Sequence, residues 1–455
     1  MNAAPRAINT ATIKTPRVAI IGGGYAGMAA AVTLAGQPID VTVFEAGKQL
    51  GGRARGVEHR GVMLDNGLHI LSGAYRETLR LIRTVNPQHA SALLRLPLAW
   101  HMHNEFHLTA PRLPAPLHLL AALIGARGAG LADRLAMLRF LAALKRDGYR
   151  LPADCSVEAL LQQYRQSEFM QGVFWRPLCV AALNTPPAQA SAQIFLNVLR
   201  DTMNASRAAS DLLLSRVDLG ALFPEPAAAY VQERGGSVKT GNRVTKLSIE
   251  DGDFRLTTLQ GEAIFSHVIC ALPPHQVGAL IDPLPALSGV AQTLASFDYQ
   301  PIYSVWLQYA AAVTLPTPML GFADGPLHWL FDRGALCGQH GLLGAVISAE
   351  GAHQHLTQEA LGALAQTEIE RRLGRLPELS WLRVIAEKRA TFACTPGLQR
   401  PACITPIEKF QLAGDYTAGD YPATIEAAVR SGIACGEHII ATTQHERHQP
   451  HRTTA

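Results

Sequence analysis

The stretch Arg17-Val18-Ala19-Ile20-Ile21-Gly22-Gly23-Gly24-Tyr25-Ala26-Gly27-Met28 decides the fold. Residues 17–21 are mostly apolar with β-branched members, which predicts a short buried strand. Gly22, Gly24 and Gly27 then occupy the three fixed places of G-x-G-x-x-G. Met28–Leu34 is rich in Ala and predicts the following helix, with Tyr25 and Ala26 at its N-terminus. Asp40–Phe44 predicts a second strand, ended by Glu45. Gly22 permits the tight turn, Gly24 lets a pyrophosphate approach the backbone, and Gly27 lets helix and strand pack closely. The helix start offers unpaired N–H groups and the positive end of its dipole to phosphate. Glu45 lies 18 residues beyond Gly27, close to the spacing of about 20 for an acid that accepts from a ribose hydroxyl. A glycine-rich structural turn needs none of these flanking features, so the stretch reads as a dinucleotide cradle.

Working outward, Glu45-x5-Gly51-Gly52-Arg53-Ala54-Arg55 resembles the second signature of the flavin amine oxidase and carotenoid desaturase superfamily, whose members bind FAD. Phe410-Gln411-Leu412-Ala413-Gly414-Asp415, followed by Tyr421 to Gly432, is similar to its C-terminal flavin motif. The resemblance implies that Gly51 and Gly52 let the loop pass close to FAD, while Arg53 and Arg55 offer guanidinium groups suited to phosphate. It implies that Asp65-Asn66-Gly67 runs beneath the flavin, with Gly67 allowing close approach. His69 then faces the active site as the candidate catalytic group; the plain alternative is a buried structural histidine. Leu68 departs from the pattern, which leads us to expect a polar residue there. By the same resemblance, Val244 pairs its backbone with adenine and Asp415 bonds the ribityl or pyrophosphate region. The helix start from Ile425 to Ala428 faces the flavin pyrimidine, where its dipole meets negative charge.

The chain has 455 residues, long enough for two or three domains. Its 40 basic and 36 acidic side chains leave a charge of +4, which makes no case for nucleic acid. Seven scattered cysteines without C-x-x-C read as reduced thiols in a cytoplasmic protein. No run reaches the roughly 18 apolar residues of a spanning helix. We expect an α/β fold: a Rossmann-like FAD-binding domain built from residues 16–75, 226–290 and 395–441. An α+β substrate domain takes 76–225 and 291–394, helical near 111–210. Flexible tails are expected at 1–15 and 442–455.

Three mid-chain stretches add to this. His101, His103 and His107 share one face if 100–107 is a single strand; a second element with ligands is missing, so we assign no metal. Pro111, Pro114 and Pro116 precede an apolar segment at 117–124, then an amphipathic helix Leu131–Arg146 whose apolar side carries Leu131, Leu135, Leu138 and Ala142. Both either pack inside the substrate domain or form an interfacial surface that dips into a bilayer, with Arg134, Arg139, Lys145 and Arg146 for anionic head groups. Residues 176–226 complete a set that resembles the bacterial hydroxysqualene dehydroxylases of hopanoid synthesis. That resemblance implies hydride delivery from reduced flavin N5 to the allylic carbon that loses water. It also implies a hydrophobic isoprenoid substrate, peripheral contact with the inner face of the cell membrane, and an electron donor. A phytoene-type desaturase runs the hydride the other way on a similar fold. A non-catalytic prenyl-lipid escort is a third reading, which the intact cradle, Glu45 and Asp415 oppose.

Overall fold

The protein is described by a computed structural model covering residues 15–203 and 205–448. Residues 1–14 of the expected N-terminal tail and 449–455, with His451, lie outside the described residues.

A five-stranded parallel sheet carries the architecture. Its spatial order is Ser237–Lys239, Asp40–Phe44, Arg17–Ile21, His267–Cys270, Phe410–Leu412. Numbered along the chain this is 3-2-1-4-5, the doubly wound order whose ligands sit beyond the strand ends where the order reverses. Strand Arg17–Ile21 is central, and Val18, Ala19, Ile20 and Ile21 are buried. Helix Tyr25–Leu34 follows and is buried nearly all round. Its small residues allow this: the C-terminal helix Ile425–His448 lies so close that a Cβ on Gly432 would meet the Ala26 carbonyl oxygen at 2.1 Å.

A seven-stranded sheet lies alongside, in the order 379–392, 299–309, 342–348, 329–332, 319–321, 99–102, 106–109. Residues 261–270 divide between two sheets. Gly261–Phe265 closes a three-stranded meander, and His267–Cys270 joins the parallel sheet. Residues 100–107 form a hairpin rather than a strand, turning at Asn104 with φ +57°. His101 and His107 therefore face each other at 5.2 Å between ring centroids, while His103 meets the Arg372 carbonyl oxygen. The expected common face is thus divided by the turn.

The C-terminal helix continues through Thr442 to His448, where a tail was expected. Thr443 is buried there, and its hydroxyl donates to the Ile439 carbonyl one turn back in the same helix.

Helices Leu117–Ile124 and Leu131–Arg146 form where expected. The second buries Met137, Phe140 and Leu144. Of the stripe Leu131, Leu135, Leu138 and Ala142, Leu131 is 74 % exposed, Leu135 42 % and Ala142 exposed, while Leu138 packs partly against the core. Both stripes satisfy the helical period, so periodicity alone does not select between them. In the first helix His118, Ala122 and Leu123 are buried, whereas Leu117 and Ile124 are 53 % and 65 % exposed. Arg134 is not available to head groups. It donates to the carbonyl oxygens of Ile124, Ala126 and Ala129, latching the two helices together. Among the described residues no helix is long and apolar enough to cross a membrane.

Candidate functional site

The crevice at the strand ends collects most of the sequence-predicted residues. Gly22 has φ +113° and its N–H donates to the Phe44 carbonyl, so the first turn folds back on the second strand. A Cβ on Gly22 would lie 2.6 Å from the Ala271 carbonyl oxygen, and one on Gly27 would lie 1.9 Å from that of Gly22. Both glycines are therefore required by the protein itself. Gly24 differs: nothing lies nearer than 3.9 Å to its missing Cβ. It opens a space that no side chain of the fold fills. The Gly51-Gly52 loop crosses beside it, with the Gly51 N–H donating to Gly23 and a bridge between Gly24 and Gly51. Gly51 and Gly52 both have positive φ, the backbone region that favours glycine.

Glu45 takes the Gly23 N–H on Oε2 at 2.8 Å and the Gly47 N–H on Oε1 at 2.7 Å. These bonds aim the carboxylate along the crevice, and each oxygen keeps a lone pair for another donor. Beyond it lies a cleft of about 400 Å³ lined by Phe44, Ala46, Val244 and Leu272, with Arg243 and His275 at its wall. At the other end Arg53 donates to Asp415 at 2.7 Å and to the Ala390 carbonyl. Asp415 is 5 % exposed. Two motifs 362 residues apart thus meet in one ion pair. Among the described residues Arg55 donates to the Gly52 carbonyl, at 3.3 Å. Gly414 N–H is held by Ser431 on the C-terminal helix, and Thr424 caps that helix just before Ile425, by accepting from Ala427. Ala428 sits one turn in, its N–H on the Thr424 carbonyl.

The profile of the family described as flavin containing amine oxidoreductase matches residues 25–440. The chain belongs to this family. Its cofactor is FAD. This flavoprotein is 30 % identical over 438 residues to a hydroxysqualene dehydroxylase of Rhodopseudomonas palustris, covering 93 % of this chain and 98 % of the relative. It is 25 % identical to a 15-cis-phytoene desaturase of Synechococcus elongatus, covering 93 % and 96 %. A putrescine oxidase bound to putrescine superposes with a TM-score of 0.69 at 18 % identity, covering 94 % of this chain and 99 % of that one; this likeness is one of fold.

In the flavoprotein the loop Asp65-Asn66-Gly67 is pinned to the Gly-Gly-Arg loop: Asn66 donates from its backbone to Arg55 and from its side chain to Arg53. His69 folds back over Gly67, its Nδ1 at 2.8 Å from the Gly67 carbonyl oxygen. A carbonyl only accepts, so Nδ1 carries the proton and Nε2 presents a lone pair. Burial pushes the imidazole below its ordinary range, and the Arg53 charge adds to this against the Gly67 bond. Leu68 packs its side chain over Gly344 beside Trp306.

Sequence reasoning missed the partners of this loop. Asp65 is buried, accepts from Leu219 N–H, and faces the buried Arg333 at 3.8 Å. Burial pushes its carboxyl up to about 7, with the Arg333 charge and the Leu219 bond opposing. The only available signal was an acid closing the apolar run Val62-Met63-Leu64; nothing in the sequence points to Arg333. Glu426 was missed too. Fully buried, it accepts from Glu77 N–H, from Thr78 N–H and hydroxyl, and from Arg430, seating helix Arg76–Val85 on the C-terminal helix.

Proposed function

We propose that this flavoprotein reductively removes the hydroxyl of hydroxysqualene to give squalene. The observation that carries the reading is the end-to-end similarity to a hydroxysqualene dehydroxylase, higher than that to the phytoene desaturase. When bound and reduced, FAD supplies the hydride for the allylic carbon that loses its hydroxyl.

The chain's own residues do the rest. The open space at Gly24, flanked by Gly52, receives the pyrophosphate against the N–H groups of Tyr25 and Ala26. Glu45 would accept from the ribose with its remaining lone pairs, and the cleft along Val244 would hold the adenine. Arg53 and Asp415 hold each other in place at the flavin end, and Arg55 adds positive charge. Gly67 lets the ring approach, and the helix start at Ile425 and Ala428 faces its pyrimidine edge. His69 orients on the departing hydroxyl through Nε2. The FAD-binding part comprises 16–75, 226–290 and 395–441, and the substrate part 76–225 and 291–394.

A thirty-carbon alcohol dissolves in lipid, so its enzyme gains from resting on a bilayer. Leu113, Leu117, Leu120, Ile124, Leu131 and Leu135 are all exposed within two adjoining helices and their lead-in. Arg139, Lys145 and Arg146 lie exposed further along the second helix. We place this surface on the inner face of the cell membrane, with the protein otherwise cytoplasmic and reduced there by a separate electron donor. Apolar insertion plus surface cations is the physics of interfacial binding.

The deciding experiment is anaerobic incubation of dithionite-reduced protein with hydroxysqualene, with products identified by mass. Squalene is expected. No squalene, together with desaturation of phytoene by the oxidised protein, overturns the assignment in favour of the desaturase reading.

A further inference from the structure

Behind the Gly67 loop lies a cavity of about 10 Å³, lined by Asp65, His69, Ser215 and Arg333 with apolar walls from Leu68 and Phe331. That is the lower bound of room for one water, and a water needs two to four polar partners. The partners are present. Asp65 uses Oδ1 for the Leu219 N–H, but its Oδ2 stands 3.8 Å from Arg333, too far for a direct hydrogen bond. A polar gap of this length is the place for a bridging water. His69 has Nδ1 committed to the Gly67 carbonyl, so Nε2 is its remaining acceptor.

We infer that Asp65, Arg333 and His69 enclose one bound water, and that Asp65 is the proton reservoir for His69. This deepens the proposed function and rests on the placement of His69 beside the substrate. The step balances. The Asp65 Oδ2–H proton passes to the water, and the water gives a proton to His69 Nε2. Asp65 is left as a carboxylate facing Arg333, and the imidazolium, with Nδ1–H still on Gly67, keeps its new Nε2–H on the water; the departing hydroxyl takes that proton when it replaces the water at Nε2. The position of Asp65 on the protonation scale supports this: burial holds a proton on it near neutrality, while His69 at rest is neutral. The other charged or titratable groups facing Asp65 are Asp218, Tyr25 and Cys337; Arg53 faces His69. Asp65 acts through the water and is a positioning residue.

The test follows the His69 imidazole by NMR in histidine-labelled, full-length protein, with and without FAD, in the wild type and in Asp65→Asn. Asn keeps an oxygen for the Leu219 N–H. In the wild type the His69 signals should show an inflection near neutral pH besides their own lower midpoint. In Asp65→Asn that inflection should be lost and the lower midpoint kept. Superimposable His69 curves in the two proteins overturn the proposal. If the variant does not fold, the wild type decides alone: a cross-peak between the His69 ring and a long-lived water is expected, and a dry cavity overturns the inference. Neither readout uses substrate, so failure here leaves the dehydroxylase assignment standing, and failure to form squalene leaves the relay standing.

Discussion

Three glycines of one motif have different neighbours, and this separates folding from cofactor binding residue by residue. Gly27→Ala puts a Cβ onto the Gly22 carbonyl and should cost about 1–3 kcal/mol or more through overpacking, seen as a lower unfolding midpoint without flavin. Gly24→Val meets open space in the protein, so its flavin-free midpoint should match the wild type while gel filtration strips its yellow colour. Retained colour in Gly24→Val excludes the pyrophosphate placement. Asp65 carries a pH signature of its own. Its folded-state carboxyl titrates at about 7, above the unfolded value of about 4. The folded state therefore binds more protons between these values, and its stability falls as pH rises through that window. Relative to the wild type, Asp65→Asn should gain stability from about pH 4 to about pH 7 and no further, read as midpoint against pH. The cradle glycines and Glu45 were legible because each answers a local backbone demand. Arg333 beside Asp65, and Arg53 on Asp415, were not, because tertiary pairings over hundreds of residues leave no local pattern.

At the scale of elements, most helices and strands were legible from period and turn chemistry. Which face of a helix packs was not. Helix Leu131–Arg146 has two apolar stripes, and the one with Met137, Phe140 and Leu144 is inside. Leu131 and Leu135 on this helix and Leu117, Leu120 and Ile124 on the preceding one are exposed large apolar side chains. Leu123 is buried and Leu119 half-buried, so substitution there tests packing rather than membrane contact. The informative variant is Leu117→Ser, Leu120→Ser and Ile124→Ser together. It should keep FAD and its unfolding midpoint, yet lose co-sedimentation with anionic liposomes. Sedimentation equal to the wild type sinks the membrane assignment. Each cation near such a surface contributes about 1 kcal/mol, so wild-type binding should also weaken in high salt.

The whole molecule is closed by its ends. Strand Arg17–Ile21 lies beside His267–Cys270, which pairs with Phe410–Leu412, and the C-terminal helix then covers helix Tyr25–Leu34. On the proposed placement FAD bridges these pieces, so it should stabilise all of them as one: at a hundredfold excess over its dissociation constant the gain is about 2.7 kcal/mol. Glu45→Ala should reduce FAD affinity by about 1.5–3 kcal/mol, read as a smaller flavin-induced rise in midpoint. An unchanged rise would remove Glu45 from the site. Sheet closure by the last strand also sets a timetable. On the ribosome, at about 5–20 residues per second, on the order of tens of seconds separates the emergence of the glycine turn from that of the last strand of its sheet. For the later part of that interval the edge of strand His267–Cys270 is unpaired, and for all of it the Ala-rich helix lacks the cover of the C-terminal helix. On the proposed placement flavin is captured only after strand Phe410–Leu412 and the C-terminal helix have been made, so a supply of FAD protects the folded protein but not the growing one, and the growing one depends on whatever shields exposed strands during synthesis.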